Sequence, residues 1–351
     1  MPQNDYIRTL PEYDKHHFVT FLHDETTGME AFIAIHRKNE RVPSFGATRL
    51  WQYASDSDAL KDALRLSKMM SYKAALAGLP CGGAKGVIID KPSQQGRHLD
   101  ILRAYARDIA MLKDSFITGT DVGIKQDDLS AMKKVAPNII GFNDNSTEFT
   151  GLGVYHGIRC ALRAVFNDDS VKGKTFAIQG LGKIGGALLG HLAPDADKIF
   201  VADVNEENVL KAADAYPNVE IVGHEVIHQG KVDVFCPCAM GSAINAENVA
   251  SLNCDIVAGG ANNQLESEQV GDILHKMKIL YAPDFVINAG GLIAVYDEYE
   301  HTENYNYERV REKVIMIEKR LQHVFEESRL HDKPTNRVAN SHAEMIFSSY
   351  A

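Results

Sequence analysis

The chain has 351 residues, of which 45% are hydrophobic and 24% are charged. This ordinary globular composition excludes collagen-like, coiled-coil and intrinsically disordered chains, and at roughly 100–200 residues per domain it predicts two domains. Lys and Arg number 37 against 47 Asp and Glu, giving a formal net charge of −10. Because no basic block is present that would follow a phosphate backbone, we expect no nucleic-acid partner.

Targeting and redox signals are also weak. The N-terminal segment MPQNDYIRTLPEYDKHH is polar and mixed in charge, which is not typical of a signal peptide. No apolar run approaches the roughly 18 residues that a membrane span needs. Five cysteines are too few and too scattered for a disulfide framework. We therefore expect a cytoplasmic protein with reduced cysteines and no membrane partner.

Residues 1–145 are predicted to form a mixed α/β domain. Residues 31–36 form a short apolar, strand-like run, and residues 58–72 have an apolar stripe at helical spacing. Residues 87–89 are predicted to be a strand that leaves a glycine-rich turn. A second helix is indicated by apolar residues three or four apart, namely Ile101, Leu102, Tyr105, Ile109 and Leu112. The turn-rich segment 141–149 lacks periodicity and marks the domain boundary.

Residues 146–329 are predicted to form the second domain. A helix over 152–166 is followed by an alternation of strands and helices. The candidate strands are short apolar runs at 175–179, 198–202, 219–222, 232–235, 255–258 and 279–281. This pattern favours a parallel sheet covered on both faces. One long amphipathic helix is predicted across Val310–Val324, and the helical segment 330–351 is expected to pack back onto the first domain.

A glycine-rich turn follows the first strand of that second domain. It comprises Gly180, Leu181, Gly182, Lys183, Ile184 and Gly185, and a helical segment over 183–192 follows it. The pattern G-x-G-x-x-G at such a junction is typical of a Rossmann-type dinucleotide site, where pyrophosphate meets a helix N-terminus. Asp203 ends the next strand and is placed to bind a ribose hydroxyl, and no Arg follows it closely, which favours NAD over NADP. The alternative is a glycine-rich turn that binds nothing.

Two lysines in the first domain suggest proton chemistry. Lys85 stands among small residues in CGGAKG, and Lys73 ends the predicted 58–72 helix. Two lysines in one partly buried cleft would lower each other's pKa, and a neutral lysine can act as a general base. Asp121, in TGTDVG, is a candidate proton-relay partner. The alternatives are a solvated lysine in a turn and an aspartate that caps a turn.

These segments together resemble the leucine/phenylalanine/valine dehydrogenase branch of the Glu/Leu/Phe/Val amino-acid dehydrogenases. The matching segments cover nearly the whole chain and are GATRLW (46–51), DALRLSKMMSYKAALAGL (62–79), GGAKGVII (82–89), TGTDVG (118–123), QGLGKIG (179–185), FCPCA (235–239), GGANNQL (259–265) and YAPDFVINAGGLI (281–293). The resemblance implies an α/β chain of two domains, a mixed α/β substrate and oligomerisation domain and a Rossmann-type domain, with a cleft between them. It also implies a homo-oligomer that catalyses reversible, NAD-dependent oxidative deamination of a hydrophobic L-amino acid to its 2-oxo acid and ammonium.

The resemblance also implies roles for individual residues. Lys73 matches the lysine that binds the substrate α-carboxylate, Lys85 the lysine that activates water, and Asp121 the aspartate that shuttles protons. Asn262 matches the asparagine that orients the substrate beside the nicotinamide. Three further positions are carried over as contacts, Gly46 to the substrate, Thr150 to the nicotinamide end and Ala239 to the cofactor groove.

The substrate side-chain pocket of the family maps to Phe45, Gly119, Leu292 and Val295. Glycine at 119 and leucine at 292 are typical of relatives that prefer aromatic substrates, and Phe45 would fill volume or pack edge-on against a ring. We expect phenylalanine, leucine or both to be substrates. A leucine and branched-chain enzyme and a tryptophan dehydrogenase remain alternatives.

Two other functions fit the sequence less well. A 2-hydroxy-acid dehydrogenase would need a His–carboxylate relay and a clamping arginine, and that set is not apparent in the sequence. A non-catalytic NAD sensor would not need Lys73, Lys85 and Asp121. Cys236 and Cys238 resemble half of a zinc site, but no second pair is spaced to match, so we expect a buried structural pair and no metal.

Overall fold

The computed structural model describes residues 3–92, 96–142 and 145–349. The chain divides into two compact units. Unit 1 comprises Met1–Asn143, Glu298–Thr302 and Ala343–Ala351, and unit 2 comprises Asp144–Asp297 and Glu303–His342. The boundary predicted after residue 145 lies two residues beyond this division, and the C-terminal segment 330–351 is shared between the units.

Unit 1 is built on a mixed five-stranded sheet of order β1-β2-β4-β3-β5. The β1–β2 and β2–β4 pairs are antiparallel, and β3 is parallel to both β4 and β5. Its elements are α1 (Gln3–Thr9), β1 (Phe18–Asp24), β2 (Met29–Ile35), β3 (Ser44–Trp51), α2 (Asp56–Leu76), β4 (Ala84–Ile89), α3 (His98–Ala110), β5 (Phe116–Thr120) and α4 (Gln126–Lys133).

The central strand β4 is buried along its whole length, and its residues are small or apolar except for Lys85. Helix α2 begins after Ser55, whose side chain accepts a hydrogen bond from the backbone N–H of Asp58. The predictions of β2, α2, β4 and α3 are confirmed, although α2 is longer than expected and α3 ends before Leu112. These elements bury two apolar clusters, one on each face of the sheet.

Unit 2 contains a six-stranded sheet of order β11-β10-β9-β6-β7-β8. Each of its strand pairs is parallel. Its elements are α5 (Ser146–Phe166), β6 (Thr175–Gln179), α6 (Lys183–Leu192), β7 (Lys198–Ala202), α7 (Glu206–Ala215), β8 (Val219–Ile221), β9 (Val232–Pro237), β10 (Cys254–Val257), α8 (Glu268–Lys276), β11 (Leu280–Tyr281), α9 (Asp284–Ile287), α10 (Gly290–Glu300), α11 (Tyr307–Ile315), α12 (Ile317–His331) and α13 (Thr335–Phe347). The ends of α10, from Glu298, and of α13, from Ala343, belong to unit 1.

This strand order is that of a Rossmann sheet, in which the order reverses between β6 and β9. The six strands predicted for unit 2 are confirmed, and each begins and ends within two residues of its expected position. Ligands of such sheets bind beyond the carboxyl ends of the strands at the point of reversal. The glycine turn directly follows β6, so the fold places it at that point.

The prediction of one continuous helix across Val310–Val324 is wrong. The helix is divided at Met316 into α11 and α12. Val314 and Ile317 are both fully buried, so the apolar spacing continues through the division and hides it from a periodicity argument. Helix α5 also begins six residues before its predicted start at 152.

Candidate active site

The first part of the candidate site is Lys85, which lies on β4 in the middle of the unit 1 sheet. It pairs with Ala34 of β2, and the adjacent Gly86 pairs with Thr48 of β3. Lys85 is 5% exposed, although lysine is among the residues least often buried. Burial lowers the pKa of Lys85 below its ordinary value. At a given pH, a larger fraction of the molecules therefore has a neutral Lys85 amine, which can accept a proton.

Asp121 is the partner of this lysine. It directly follows β5, and its Oδ2 atom accepts a hydrogen bond from Lys85 Nζ. Burial opposes ionisation of Asp121, but the charges of Lys85 and Arg49 outweigh it and lower the carboxyl pKa to about 2. The structure thus joins two residues that sequence analysis paired and that lie 36 positions apart.

The segments that carry Lys73 and Lys85 are also in contact. The backbone N–H of Gly83 donates to Ser71 Oγ at 2.9 Å. A Cβ atom at Gly83 would lie 2.0 Å from the backbone nitrogen of Ser71, so only glycine allows this approach. Lys73 is half-buried on α2, two residues after Ser71, and Lys85 stands two residues after Gly83.

Three predicted substrate contacts of unit 1 are explained in part by packing. A Cβ atom at Gly46 would lie 2.1 Å from the carbonyl oxygen of Ala84, so glycine lets β3 approach β4. A Cβ atom at Gly119 would lie 3.1 Å from the Ile140 carbonyl oxygen, which is a tight contact. Phe45 is 1% exposed, and its ring meets Tyr299 edge-on at 5.2 Å. The predicted substrate role of Gly119 therefore competes with a packing role.

In unit 2, the glycine turn has the geometry that its pattern predicts. Gly180 has φ +95, and a Cβ atom there would lie 2.7 Å from that of Ala239, which follows β9. A Cβ atom at Gly185 would lie 1.9 Å from the Gly180 carbonyl oxygen, so α6 packs directly on the turn. A Cβ atom at Gly182 would meet no heavy atom of the described residues within 4 Å. The backbone at Gly182 is therefore open to close approach by a ligand.

Asp203 lies beside this turn. One carboxylate oxygen accepts from the Leu181 backbone N–H at 2.6 Å, and the other accepts from that of Asn205 at 2.8 Å. Burial opposes ionisation, but these N–H groups outweigh it and lower the pKa of Asp203. Asp203 thus holds the turn in shape, a role that sequence analysis did not assign. Because a carboxylate accepts about four hydrogen bonds, the predicted bond to a ribose remains open to it.

The other predicted residues of unit 2 lie on three elements. Asn262 is exposed after β10 and accepts a hydrogen bond from Asn288 at 3.0 Å. The Thr150 hydroxyl donates to the Ser146 carbonyl oxygen at 2.8 Å and accepts from the backbone N–H of Gly291 at 3.1 Å. Leu292 and Val295 are half-buried and lie three residues apart on α10, so they share one face.

The cysteines and one cluster of possible metal ligands were also considered as site residues because cysteine and histidine bind metals. All five cysteines are free thiols, and burial raises the pKa of Cys238 to about 12. One described cluster brings together His323, Glu327 and His342, whose ligand atoms all lie within 4.8 Å of one another. His342 Nε2 is 2.9 Å from Glu327, a distance that a simple hydrogen bond explains. The expectation of no metal stays a prediction.

Comparison with known proteins identifies the family. The model of the Glu/Leu/Phe/Val dehydrogenase dimerisation domain matches residues 14–137, and that of Glutamate/Leucine/Phenylalanine/Valine dehydrogenase matches residues 195–346. Leucine dehydrogenase of Geobacillus stearothermophilus is 37% identical over 97% of this chain and 92% of its own length. The chain belongs to this family. It is an amino-acid dehydrogenase, as the sequence resemblance implied.

Two further relatives bear on the branch of the family. L-tryptophan dehydrogenase of Nostoc punctiforme is 39% identical over 94% of this chain and 92% of its own length. Its crystal structure matches with a TM-score of 0.83 and covers 95% of this chain and 96% of that one. Phenylalanine dehydrogenase of Bacillus thermotolerans is 37% identical over 94% of this chain and 88% of its own length. The predicted branch and two-domain α/β class are confirmed, and the 2-hydroxy-acid alternative is set aside.

Sequence analysis missed two residues beside the catalytic candidates. Arg49 and Asp62 form a connected ion-pair chain with Asp121. Both lie in segments that carry the family resemblance, GATRLW and DALRLS, but their side chains were given no role. A signal was present, because Arg49 is the one charged residue of its strand, and a partly buried charge needs a partner. Among the described residues, no helix is both long and apolar enough to cross a bilayer.

Proposed function

We propose that the protein catalyses the reversible, NAD-dependent oxidative deamination of a hydrophobic L-amino acid, phenylalanine or leucine, to its 2-oxo acid and ammonium. The observation that carries this proposal is the buried Lys85–Asp121 pair of unit 1, in a chain whose unit 2 holds a Rossmann turn. The relatives named leucine, phenylalanine and tryptophan dehydrogenase support the same class of substrate.

The residues of unit 2 fit NAD. The open backbone at Gly182 and the N–H groups at the start of α6, to which the described residues give no side-chain cap, suit a pyrophosphate. The Asp203 carboxylate suits a ribose hydroxyl and would repel a 2′-phosphate. From Asp203 onward the first basic residue is Lys211, which pairs with Glu207 at 2.7 Å. NAD, when bound, accepts the hydride that leaves the substrate α-carbon.

The residues of unit 1 fit the proton transfers. Loss of hydride from the α-carbon gives an iminium, whose carbon is attacked by water. Neutral Lys85 takes a proton from that water as the C–O bond forms. Protonated Lys85 then returns its proton to the nitrogen of the resulting carbinolamine. Asp121 takes the hydroxyl proton as the C–O double bond forms and the C–N bond breaks, and it passes that proton to the departing ammonia, which leaves as ammonium. Lys73 holds the substrate α-carboxylate by its positive charge.

Substrate choice is proposed from apolar side chains. Phe45, Leu292 and Val295 carry no charge, so they do not recognise the side-chain carboxylate of glutamate. One methylene in such a pocket is worth about 1–3 kcal/mol, so acceptance of phenylalanine and leucine is expected to overlap. A leucine and branched-chain enzyme and a tryptophan dehydrogenase are the outcomes that compete with this choice.

A substrate panel tests the proposal. NADH formation is followed with L-phenylalanine, L-leucine, L-valine, L-tryptophan and L-glutamate, and with the 2-hydroxy acids that match the first two. The proposal predicts the highest kcat/KM for phenylalanine or leucine, and ammonium-dependent oxidation of NADH with their 2-oxo acids. A preference for glutamate, or no NADH from any hydrophobic amino acid, would contradict it.

Assembly and location stay predictions. The family model that matches residues 14–137 is described as a dimerisation domain, which supports the expected homo-oligomer. In unit 1 the edge strand β1 exposes Phe18 and Phe21, and apolar side chains on an edge strand favour association. Light scattering on the purified protein gives the oligomeric state.

A further inference from the structure

Arg49 connects two partly buried carboxylates of unit 1. It lies on β3 and pairs in the sheet with Val87 of β4. Its Nε atom donates to Asp121 Oδ2 at 3.1 Å, and its Nη1 atom donates to Asp62 Oδ2 at 2.9 Å. The side chains of Arg49, Asp121 and Asp62 are 23%, 20% and 12% exposed. The guanidinium therefore holds the two carboxylates apart at a fixed separation.

We propose that Arg49 is a positioning residue, which with Asp62 as its anchor fixes the Asp121 carboxylate beside Lys85 and favours the neutral form of that lysine. This inference rests on the proposed function. It assigns Arg49 and Asp62 a role in the reaction, in addition to joining β3 to α2.

The anchor is itself held by a second residue. Tyr53 Oη donates to Asp62 Oδ2 at 2.7 Å, so this oxygen accepts from both Tyr53 and Arg49. Asp62 lies on α2, and Arg49 lies on the central part of the sheet. Both carriers are regular elements, which hold side chains more precisely than loops do. Rotation of Arg49 would break both of its carboxylate bonds.

An arginine suits this position for a geometric reason. Its planar guanidinium presents several N–H donors in a fixed arrangement and stays charged at all relevant pH values. One rigid group can therefore bond two carboxylates at once. A lysine would offer a flexible point charge and would hold only one of them firmly.

The charges around Lys85 decide how this network acts. Lys85 faces Asp121 at the end of β5, Arg49 on β3 and Asp62 on α2, and α2 also carries Lys73. Lys85 Nζ and Arg49 Nε both donate to the same oxygen, Asp121 Oδ2. The charge of Arg49 therefore disfavours protonation of Lys85 and favours ionisation of Asp121. Asp62 acts on Lys85 in the opposite direction.

Arg49 and Asp62 are therefore expected to shift the pKa of Lys85 in opposite directions. A lysine base is active when neutral, so deamination rises with pH through the Lys85 pKa. Removal of the Arg49 charge in Arg49→Met raises that pKa and moves the rising limb of kcat/KM to higher pH. Removal of the Asp62 charge in Asp62→Asn lowers it and moves the limb to lower pH. Each shift is expected to be about one pH unit.

The experiment compares pH profiles of kcat/KM for wild type, Arg49→Met, Arg49→Lys and Asp62→Asn, with thermal unfolding and NAD binding measured on each. The matched control is Arg65→Met, because Arg65 bonds Asp62 Oδ1 at 2.8 Å from a side chain that is 49% exposed. An exposed ion pair contributes little, so this control keeps the wild-type limb. Arg49→Lys retains the charge and is expected to restore the limb position but not the full kcat.

The pH profiles of the variants either support or overturn the positioning role of Arg49. Opposite shifts for Arg49→Met and Asp62→Asn support the inference, since a purely structural salt bridge would not produce them. Unshifted limbs with lowered unfolding temperatures overturn it. If Arg49→Met does not fold, Asp62→Asn carries the test: its limb must move to lower pH, while that of Arg49→Lys, which keeps the charge, stays at the wild-type position. A wild-type protein that deaminates no hydrophobic amino acid refutes the proposed function instead, and is recognised before any variant is made.

Discussion

The candidate site residues of the two units differ in kind: unit 1 offers side chains, and unit 2 offers backbone. Unit 1 relies on side chains, since Lys85 and Asp121 are charged groups held together in and beside a buried strand. Unit 2 relies on backbone, since the turn at Gly180–Gly185 is shaped by missing Cβ atoms and presents N–H groups at the start of α6. Burial changes the pKa of a titratable side chain, so its charge depends on pH. The backbone N–H groups of a turn remain hydrogen-bond donors at every pH.

Because of this difference, different kinds of substitution are expected to disrupt the two units. In unit 1, a change of one charge alters proton affinities of its neighbours without moving the sheet. In unit 2, a change of one methyl group alters the shape of the turn without altering any charge. The following predictions separate the two kinds of damage, from the largest expected effect to the smallest.

The largest effect is expected for Lys85→Ala. Loss of the base should lower kcat by about 10²–10⁴-fold, the usual contribution of general acid–base catalysis, while NAD affinity stays unchanged. Steady-state deamination and NAD titration measure the two quantities. The matched control is Lys61→Ala, since Lys61 is 39% exposed and pairs with Asp58 at 3.8 Å. A Lys85→Ala variant with wild-type turnover would remove this lysine from the mechanism.

The next effect is expected for Gly185→Ala. The added Cβ would lie 1.9 Å from the Gly180 carbonyl oxygen, so the turn must move. Such overpacking costs about 1–3 kcal/mol of unfolding free energy, and NAD binding should weaken with it. Denaturant unfolding and NAD titration measure both.

Gly186→Ala is the matched control for this turn. Its added Cβ would lie 3.7 Å from the Leu181 carbonyl oxygen, an ordinary contact. Inside a helix, alanine is more favourable than glycine by about 0.5–1 kcal/mol, so this variant should be as stable as wild type or more so. Equal loss of stability in both variants would show that the contact with Gly180 is not the cause.

A smaller effect is expected for Asp203→Ala. Loss of the carboxylate removes both a bond to the turn and the repulsion of a 2′-phosphate. The ratio of kcat/KM for NAD over NADP should fall by about 10–100-fold, the value of a hydrogen bond to a charged group. Asp214→Ala, which removes an exposed carboxylate further along α7, should leave the ratio unchanged. An unaltered ratio in Asp203→Ala would refute the ribose assignment.

Sequence analysis was most successful where the determining pattern is local. The strands β6 and β7 and the helix α6 match their predicted bounds because each is encoded by a short run of apolar or glycine residues. The division at Met316 was missed because buried residues continue on both sides of it. The spacing of apolar residues indicates which face of a helix is buried. It does not indicate whether the helix is interrupted between two turns.

The candidate site divides in the same way. The turn at Gly180–Gly185 is one contiguous segment, and the pattern alone located it. The contact of Arg49 with Asp121 joins positions 72 apart, and no local pattern encodes such a pair. Lys85 and Asp121 were singled out from their local segments and given specific roles by the family resemblance, whereas the direction in which the Arg49 side chain extends became known only from the folded sheet.

The most direct test of the account is chemical rescue of Lys85→Ala. Replacement of the lysine leaves space for a small primary amine, which can take the proton that Lys85 takes in the proposed reaction. Deamination is measured with added methylamine or ethylamine over a series of pH values. The account predicts that the rate rises with the concentration of the neutral amine in Lys85→Ala and not in Lys61→Ala. A Lys85→Ala variant that no amine reactivates, although it still binds NAD and folds, would contradict the role of Lys85 as the base.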